Sequence, residues 1–450
     1  MEPGRNLFGL SAQAKARLIE RLSSASPMRS TREPRQFGPD VGGTVDGRLN
    51  VSELEGFREI RMIREAAEFL GIADPFFRVH EGIAGAETVI GNRVYVNFAS
   101  YNYIGLNGHP EITSAAKAAI DRYGTSVSAS RPVSGERPVH REIEEALAGI
   151  HGTEDSVVLV GGHSTNVTVI GHLLGRNDVI VHDALIHNSI VQGAILSGAR
   201  RVPFPHLDHE AADRLLGETR PRGGRALLVI EGHYSMDGDV PDLPAFIAAA
   251  RRNRAWLMVD EAHALGVLGT RGFGTADHFG VDPSHVDIWM GTLSKTLASC
   301  GGYVAGEPAL VEYLKFSAPG FLYSVGMAPP VAAAALAALE QLRAEPERVA
   351  RLHEAGELFL DLARQAGLDT GGSAGYSVIP VIVGSSLKSV MLSNALFERG
   401  INVPPIIHPA IPERAARLRF FICCTHTPEQ IRQSIEAVSE ELRRLAQISA

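Results

Sequence analysis

The chain has 450 residues, 45% hydrophobic and 21% charged, enough apolar material for a large buried core, so disorder as the main state is excluded. Its 43 basic and 51 acidic residues give a net charge of −8 with no Lys/Arg block, which speaks against nucleic acid as a partner. Three cysteines (Cys300, Cys423, Cys424) are too few for a disulfide framework and suit a reducing cytoplasm, and no secretion signal or membrane span is visible, because the most apolar stretch is broken by Pro329-Pro330 and closed by Glu340.

Residues Ser11 to Ala25 read as a short helix with Leu18, Ile19 and Leu22 on one face, followed from Ser26 to Gly47 by a Ser/Pro/Arg/Gly-rich linker. From Val51 to Leu70, Leu54, Phe57, Ile60, Ile63, Ala67 and Leu70 recur at helical spacing, which predicts a helix docked by one stripe. Two β-like runs, Thr88 to Ile90 and Arg93 to Val96, flank Gly91-Asn92 and predict a two-residue hairpin. Between about 156 and 306 there are seven short apolar runs: Val157–Val160, Val179–Val181, Arg201–Phe204, Ala226–Ile230, Trp256–Val259, Ile288–Gly291 and Gly302–Ala305. Such runs suit strands covered on both faces, and helical patterns separate most of them, so a mainly parallel sheet in an α/β domain is predicted. Beyond Pro330 come two long helices, Val331 to Glu345 and Pro346 to Ala366, then β-like runs at 378–383, 401–403 and 418–424, the pattern of a smaller α+β domain. The expected divisions are 1–50 (helix and linker), 51–96 (helix and hairpin), 97–330 (large domain) and 331–450 (small domain).

The chain contains five lysines, and four lie on stretches readable as solvated helix faces. Lys295 differs: it follows a buried-type strand in Gly291-Thr292-Leu293-Ser294-Lys295-Thr296, and a strand end is where open α/β sheets place ligand chemistry. A lysine there suits an imine to an aldehyde cofactor, with neighbouring hydroxyls for a phosphate; a surface lysine at a turn carries equal weight when the segment is taken alone. Thirty-five residues upstream, Asp260-Glu261-Ala262-His263 ends another buried strand. Asp260 suits the anion that pyridoxal phosphate needs beside its ring nitrogen, or a helix cap. An ATP-dependent helicase, which shares these four letters, is excluded because no lysine in the chain follows a glycine, as the phosphate loop requires. Gly161-Gly162-His163-Ser164-Thr165-Asn166 follows the first strand and opens a helix, a natural phosphate site; the hydrolase elbow G-x-S-x-G fails, since Asn166 stands at its second glycine. His187, just after the second strand, could stack on a flat cofactor or be an ordinary loop histidine.

Taken in order, these segments resemble the α-oxoamine synthase family of fold-type I pyridoxal phosphate enzymes. The resemblance runs from about Asn97 to Ala446 and includes Tyr101-Asn102-Tyr103-Ile104-Gly105-Leu106, the segment Glu231 to Asp239, the Asp260 and Lys295 blocks, and Leu418-Arg419-Phe420. It implies a seven-stranded, mainly parallel sheet in the large cofactor-binding domain. Lys295 would form the imine with the cofactor, Asp260 would pair with the pyridinium, and His187 would stack on the ring. His263, and Ser235 or a neighbour of it, would bond its phenolic oxygen. Thr292, with backbone N–H groups of Gly162 and His163, would hold the phosphate, joined by Ser324 from the other subunit of a homodimer. Arg419, with Asn102 nearby, would bind the amino acid carboxylate. No metal is implied. His163 departs from the Tyr or Phe usual at its position. The segments Thr125–Pro138 and Phe77–Gly82 look more like family members attached to polyketide synthases, which points to an acyl carrier protein as one candidate donor.

The implied reaction is decarboxylative condensation of an amino acid with an acyl thioester, giving an α-amino ketone. Two readings stand beside it. An aminotransferase would use the same lysine and aspartate, and a non-catalytic partner subunit often lacks the lysine that this chain has.

Overall fold

The computed structural model describes residues 50–220 and 222–448; the helix and linker expected within 11–47 lie outside them. The hairpin is formed by β1 (Glu87–Ile90) and β2 (Arg93–Asn97), paired antiparallel with Ile90 opposite Arg93. Gly91 and Asn92 both take positive φ, 53° and 65°, as a two-residue turn of this twist demands.

All seven apolar runs are strands of one sheet: β3 (Asp155–Leu159), β4 (Val179–Asp183), β5 (Arg200–Phe204), β6 (Ala226–Glu231), β7 (Trp256–Asp260), β8 (Ile288–Thr292) and β9 (Gly302–Gly306). Their order is β3-β9-β8-β7-β6-β4-β5, and only β9 runs against its neighbours. The absence of polar alternation has its expected cause. Val179, Val181, Leu228 and Trp289 pack into one apolar layer, and Ile180, Leu227, Val229 and Met290 into the other, so both faces are covered. Because β4, β6, β7 and β8 are parallel, their C-terminal residues Asp183, Glu231, Asp260 and Thr292 emerge along one edge.

The two long helices span Pro329–Ala344 and Glu347–Gln365. The C-terminal strands β10 (Val378–Ile382), β11 (Ile401–Asn402), β12 (Pro405–Ile406) and β13 (Arg417–Phe421) do not form one sheet: β13 lies between β10 and β12, whereas β11 pairs parallel with β2 and so ties the hairpin to the C-terminal region.

Two expectations need correction. The stripe between Val51 and Leu70 is not covered by the other described residues. A short turn, Val51–Glu53, precedes the helix Glu55–Phe69, and Leu54, Phe57, Ile60, Phe69 and Leu70 are all at least 41% exposed, with only Ala66 buried. Periodicity reports that a face is apolar but not what covers it. Nor is Lys315 on a solvated face; its ammonium lies 3.1 Å from the buried carboxylate of Glu144, which also binds the buried Arg131.

Candidate active site

The strand-end edge holds a cavity of about 140 Å³ with Gly162, His187, Asp260, His263, Thr292 and Lys295 in its lining. The lining also includes His163, Asn166, Ser189, Glu231 and Ser294. Lys295 and Ser294 border a second cavity of about 340 Å³ on the side of His80, Tyr101 and Asn102.

Each side chain is placed by its element. The helix Gly162–Leu173 starts directly after β3, and no side chain caps its first turn, so its leading N–H groups point unsatisfied toward the end of β8. The position requires glycine because a Cβ on Gly162 would stand 2.8 Å from Thr292 Oγ1. Thr292 closes β8, and its hydroxyl bonds Gly301 O at 2.9 Å, fixing the turn that presents Lys295. The Lys295 ammonium has no carboxylate within ion-pair distance among the described residues; Nζ lies 5.5 Å from the Tyr101 ring centre. Burial lowers its pKa to about 8, against the pull of Asp260 and Glu231.

Asp260 is 4% exposed at the end of β7. Its Oδ1 accepts from Ala262 N at 2.9 Å and its Oδ2 from Asn166 Nδ2 at 2.9 Å. Beside it Glu231 closes β6 in direct register, and burial together with the Asp260 charge raises its carboxyl to about 8; one of its oxygens, Oε1, is buried without a partner. His187 caps the helix Asn188–Ser197. Burial lowers its pKa, and that of His263 falls well below the ordinary value for the same first reason, so neither ring carries a fixed charge at neutral pH. His263 Nδ1 is 2.7 Å from the hydroxyl of the fully buried Tyr103.

Arg419, on β13, donates to Ser235 O at 2.8 Å and lies 4.6 Å from the Phe421 ring centre, while its Nε is buried with no partner. Arg419 lines neither cavity, so this charged group keeps one donor without a protein partner beside the loop that carries Ser235. Ser235 thus sits beside Arg419, and its N–H donates to Glu231 Oε2 at 3.1 Å. Asn102 lines the second cavity, but its amide is engaged by backbone groups, accepting from Asn107 N at 3.0 Å and donating to Ala84 O at 3.3 Å. Ser324 stands apart, in a small cleft with Arg131, Phe321 and Met327, between the exposed Tyr323 and Val325.

Sequence reasoning missed Glu231, Asn166, Ser189 and Tyr103 as lining or supporting groups. Glu231 carried a usable signal, an acid at the end of a buried run, the same mark that singled out Asp260. The other three did not, because lone polar residues in helical or loop stretches are common.

Comparison with known proteins places this geometry in a family. The aminotransferase class I and II model matches residues 93–438. Among curated relatives, an 8-amino-7-oxononanoate synthase from Geobacter sulfurreducens is 40% identical over 384 residues, 85% of this chain and 96% of the relative. Another from Symbiobacterium thermophilum is 35% identical over 398 residues, 88% and 98% of the two chains. Among solved structures, a Sphingomonas wittichii serine palmitoyltransferase superposes with a TM-score of 0.84 at 30% identity, covering 88% of this chain and 99% of that one. A structure of SPT with a PLP internal aldimine gives 0.83 at 28%, covering 89% and 100%. An amine without a partner, a carboxylate at the cavity wall and an uncapped helix start are the groups that pyridoxal phosphate requires, so the residues present fit that cofactor. The chain belongs to the aminotransferase class I and II family and, within it, to the pyridoxal-phosphate-dependent α-oxoamine synthases, acyltransferases that condense an amino acid with an acyl thioester and release its carboxyl group as carbon dioxide.

Proposed function

We propose that this chain joins the Cα of an amino acid to the carbonyl carbon of an acyl thioester, with loss of the thiol and of carbon dioxide, and that the residues lining the strand-end cavity do the work. One observation carries the reading: Lys295 and Asp260, from different strand ends, line a single cavity into which an uncapped helix start also opens. Bound pyridoxal phosphate supplies the electron sink for the negative charge that develops at Cα.

Thr292 and the N–H groups of Gly162 and His163 would hold its phosphate. Lys295 would hold the cofactor through its amine, and the same amine would take the Cα proton of the amino acid, a task suited to a lysine whose pKa is lowered to about 8. Asp260, held in place by Ala262 and Asn166, would keep a proton at the cofactor's ring nitrogen. His187 would pack against the cofactor ring and orient substrate oxygen, and His263 with Ser235 would serve its phenolic oxygen. Arg419 offers its orphan Nε to the amino acid carboxylate, while Asn102 shapes the wall rather than supplying a free amide.

The exposed apolar stripe of Leu54, Phe57 and Ile60 and the exposed Tyr323 and Val325 support a homodimer in which Ser324 reaches the partner's phosphate site. Residues 97–330 would form the cofactor-holding domain and 331–450 the smaller one. An acyl carrier protein is the proposed donor, on the likeness of segments 77–82 and 125–138; a strict preference for acyl-CoA over the matching carrier protein overturns that choice. Among the described residues no helix is long and apolar enough to cross a membrane, and the three free thiols support a reducing cytoplasm.

The test has two parts. Borohydride reduction and peptide mapping of the holoenzyme should place the label on Lys295; a label elsewhere rejects the site. Each amino acid is then titrated against the visible cofactor band and thioesters are screened for thiol release. Amino exchange with a keto acid and no thiol release favours the aminotransferase.

A further inference from the structure

Asn166, which in this reading only steadies Asp260, and Ser189, which has no role in it, connect the two sides of the cavity. Asn166 Nδ2 lies 2.9 Å from Asp260 Oδ2 and 3.0 Å from Ser189 Oγ. Ser189 Oγ lies 2.7 Å from His187 Nδ1, and the Ser189 N–H also approaches that nitrogen at 3.3 Å. Asn166 and Ser189 are both at most 1% exposed.

The chemistry of the ends fixes the direction of every bond. A carboxylate only accepts, so the Asn166 group facing Asp260 is its NH₂, and its two hydrogens serve Asp260 and Ser189. The Asn166 carbonyl oxygen is left buried without a partner, a cost accepted only if the amide is needed as a double donor. Having accepted from Asn166, the Ser189 hydroxyl gives its own hydrogen to His187. The backbone N–H of Ser189, which can only donate, points at the same Nδ1. Two donors converge on that atom, so it carries no hydrogen, and the proton of the neutral ring is on Nε2, the nitrogen left to the cavity.

We infer that Asn166 and Ser189 are positioning residues in a hydrogen-bond relay that diverges from the Asn166 amide, to Asp260 on one side and through Ser189 to His187 on the other, which holds His187 as the Nε2–H tautomer and so makes it a hydrogen-bond donor, not a base, toward the reactants. The inference rests on the proposed reaction for its kinetic consequence but not for the tautomer. A ring locked this way leaves proton removal to Lys295. The relay also ties His187 to the carboxylate across the cavity, so the two sides of the cofactor site are set by one chain of bonds.

The experiment uses holoenzyme labelled with ¹⁵N-histidine, with the His187 signals identified by their loss in His187→Asn. Long-range ¹H–¹⁵N correlation in the parent should show an Nε2–H ring; an Nδ1–H ring overturns the inference, whatever the reaction proves to be. In parallel, Ser189→Ala should lower kcat for thiol release by about 10-fold while the KM for the amino acid and the cofactor band stay within about 2-fold. An unchanged kcat removes the relay. Loss of the cofactor band together with a risen KM marks Ser189 as merely architectural and overturns the proposal too. A parent enzyme that releases no thiol from any thioester tested rejects the proposed reaction instead, and the tautomer measurement then decides the relay by itself.

Discussion

Two parallel strand ends, separated in the sheet by β6, carry the same residue and use it differently. Asp183 closes β4 and Asp260 closes β7, both buried. Asp183 is fully enclosed by protein partners: it accepts from Leu185 N and Leu207 N, each at 2.8 Å, and from His206 at 2.9 Å. His206 in turn contacts Asp239 at 2.9 Å. That closed set joins the β4 turn to the loop 233–239, whose other side is held by Arg417 on Asp237 and Arg419 on Ser235 O. Asp260 has fewer fixed partners and lines a cavity in common with an unpaired lysine. A strand end therefore becomes architecture when its charge is satisfied from within and a reaction site when part of its field is left for a ligand.

The most severe way to break this contrast is on the open side. Lys295→Ala should abolish the visible cofactor band that the lysine linkage creates and lower turnover on the order of 10³-fold or more, with far-ultraviolet circular dichroism unchanged. An intact band in the variant would take Lys295 out of the site. Asp260→Asn comes next. It keeps the shape and the bond to Ala262 N but removes the charge, so cofactor should remain bound while Cα proton exchange falls by roughly 10²-fold, measured by deuterium incorporation into the amino acid. Exchange at the parent rate would show that the charge is dispensable.

Arg419→Ala tests the orphan donor. The amino acid affinity should drop by the roughly 2–5 kcal/mol typical of a lost buried charge partner, and cofactor affinity by much less. Equal amino acid binding in variant and parent would move carboxylate recognition elsewhere.

The contrast also explains what the sequence could disclose. Lys295 stood out because lysine is scarce and this one follows a buried run; Asp260 and the Gly162 helix start stood out because strand ends and helix starts are local patterns. The hairpin at Gly91-Asn92 was legible for the same reason. The partners that close or open a strand end are not local: Asn166 lies 94 residues from Asp260, Tyr103 lies 160 from His263, and Asp239 lies 33 from His206. The stripe of Leu54, Phe57 and Ile60 was visible, but its exposure was not, since pattern alone does not say which surface covers a face.

On the closed side the expected effect is the smallest and depends on pH. Burial disfavours a charged His206, but the bonds to Asp183 and Asp239 outweigh it and raise its pKa to about 10, from an ordinary value of 6.5. A raised pKa means that the folded state holds the proton more tightly than the unfolded one. The stabilisation is therefore complete below about pH 6.5 and is lost as pH rises through about 10. His206→Gln keeps a donor for one aspartate and forfeits the charge, so it should cost about 2 kcal/mol near neutrality, less than a fully buried pair because the imidazole is 23% exposed. The decisive reading is the slope. Between pH 7 and 10 the parent should lose stability in urea titrations faster than the variant, and the two curves should converge at the alkaline end. Parallel curves would mean that His206 is neutral in the fold and that its charge contributes nothing to the pairing with Asp183 and Asp239.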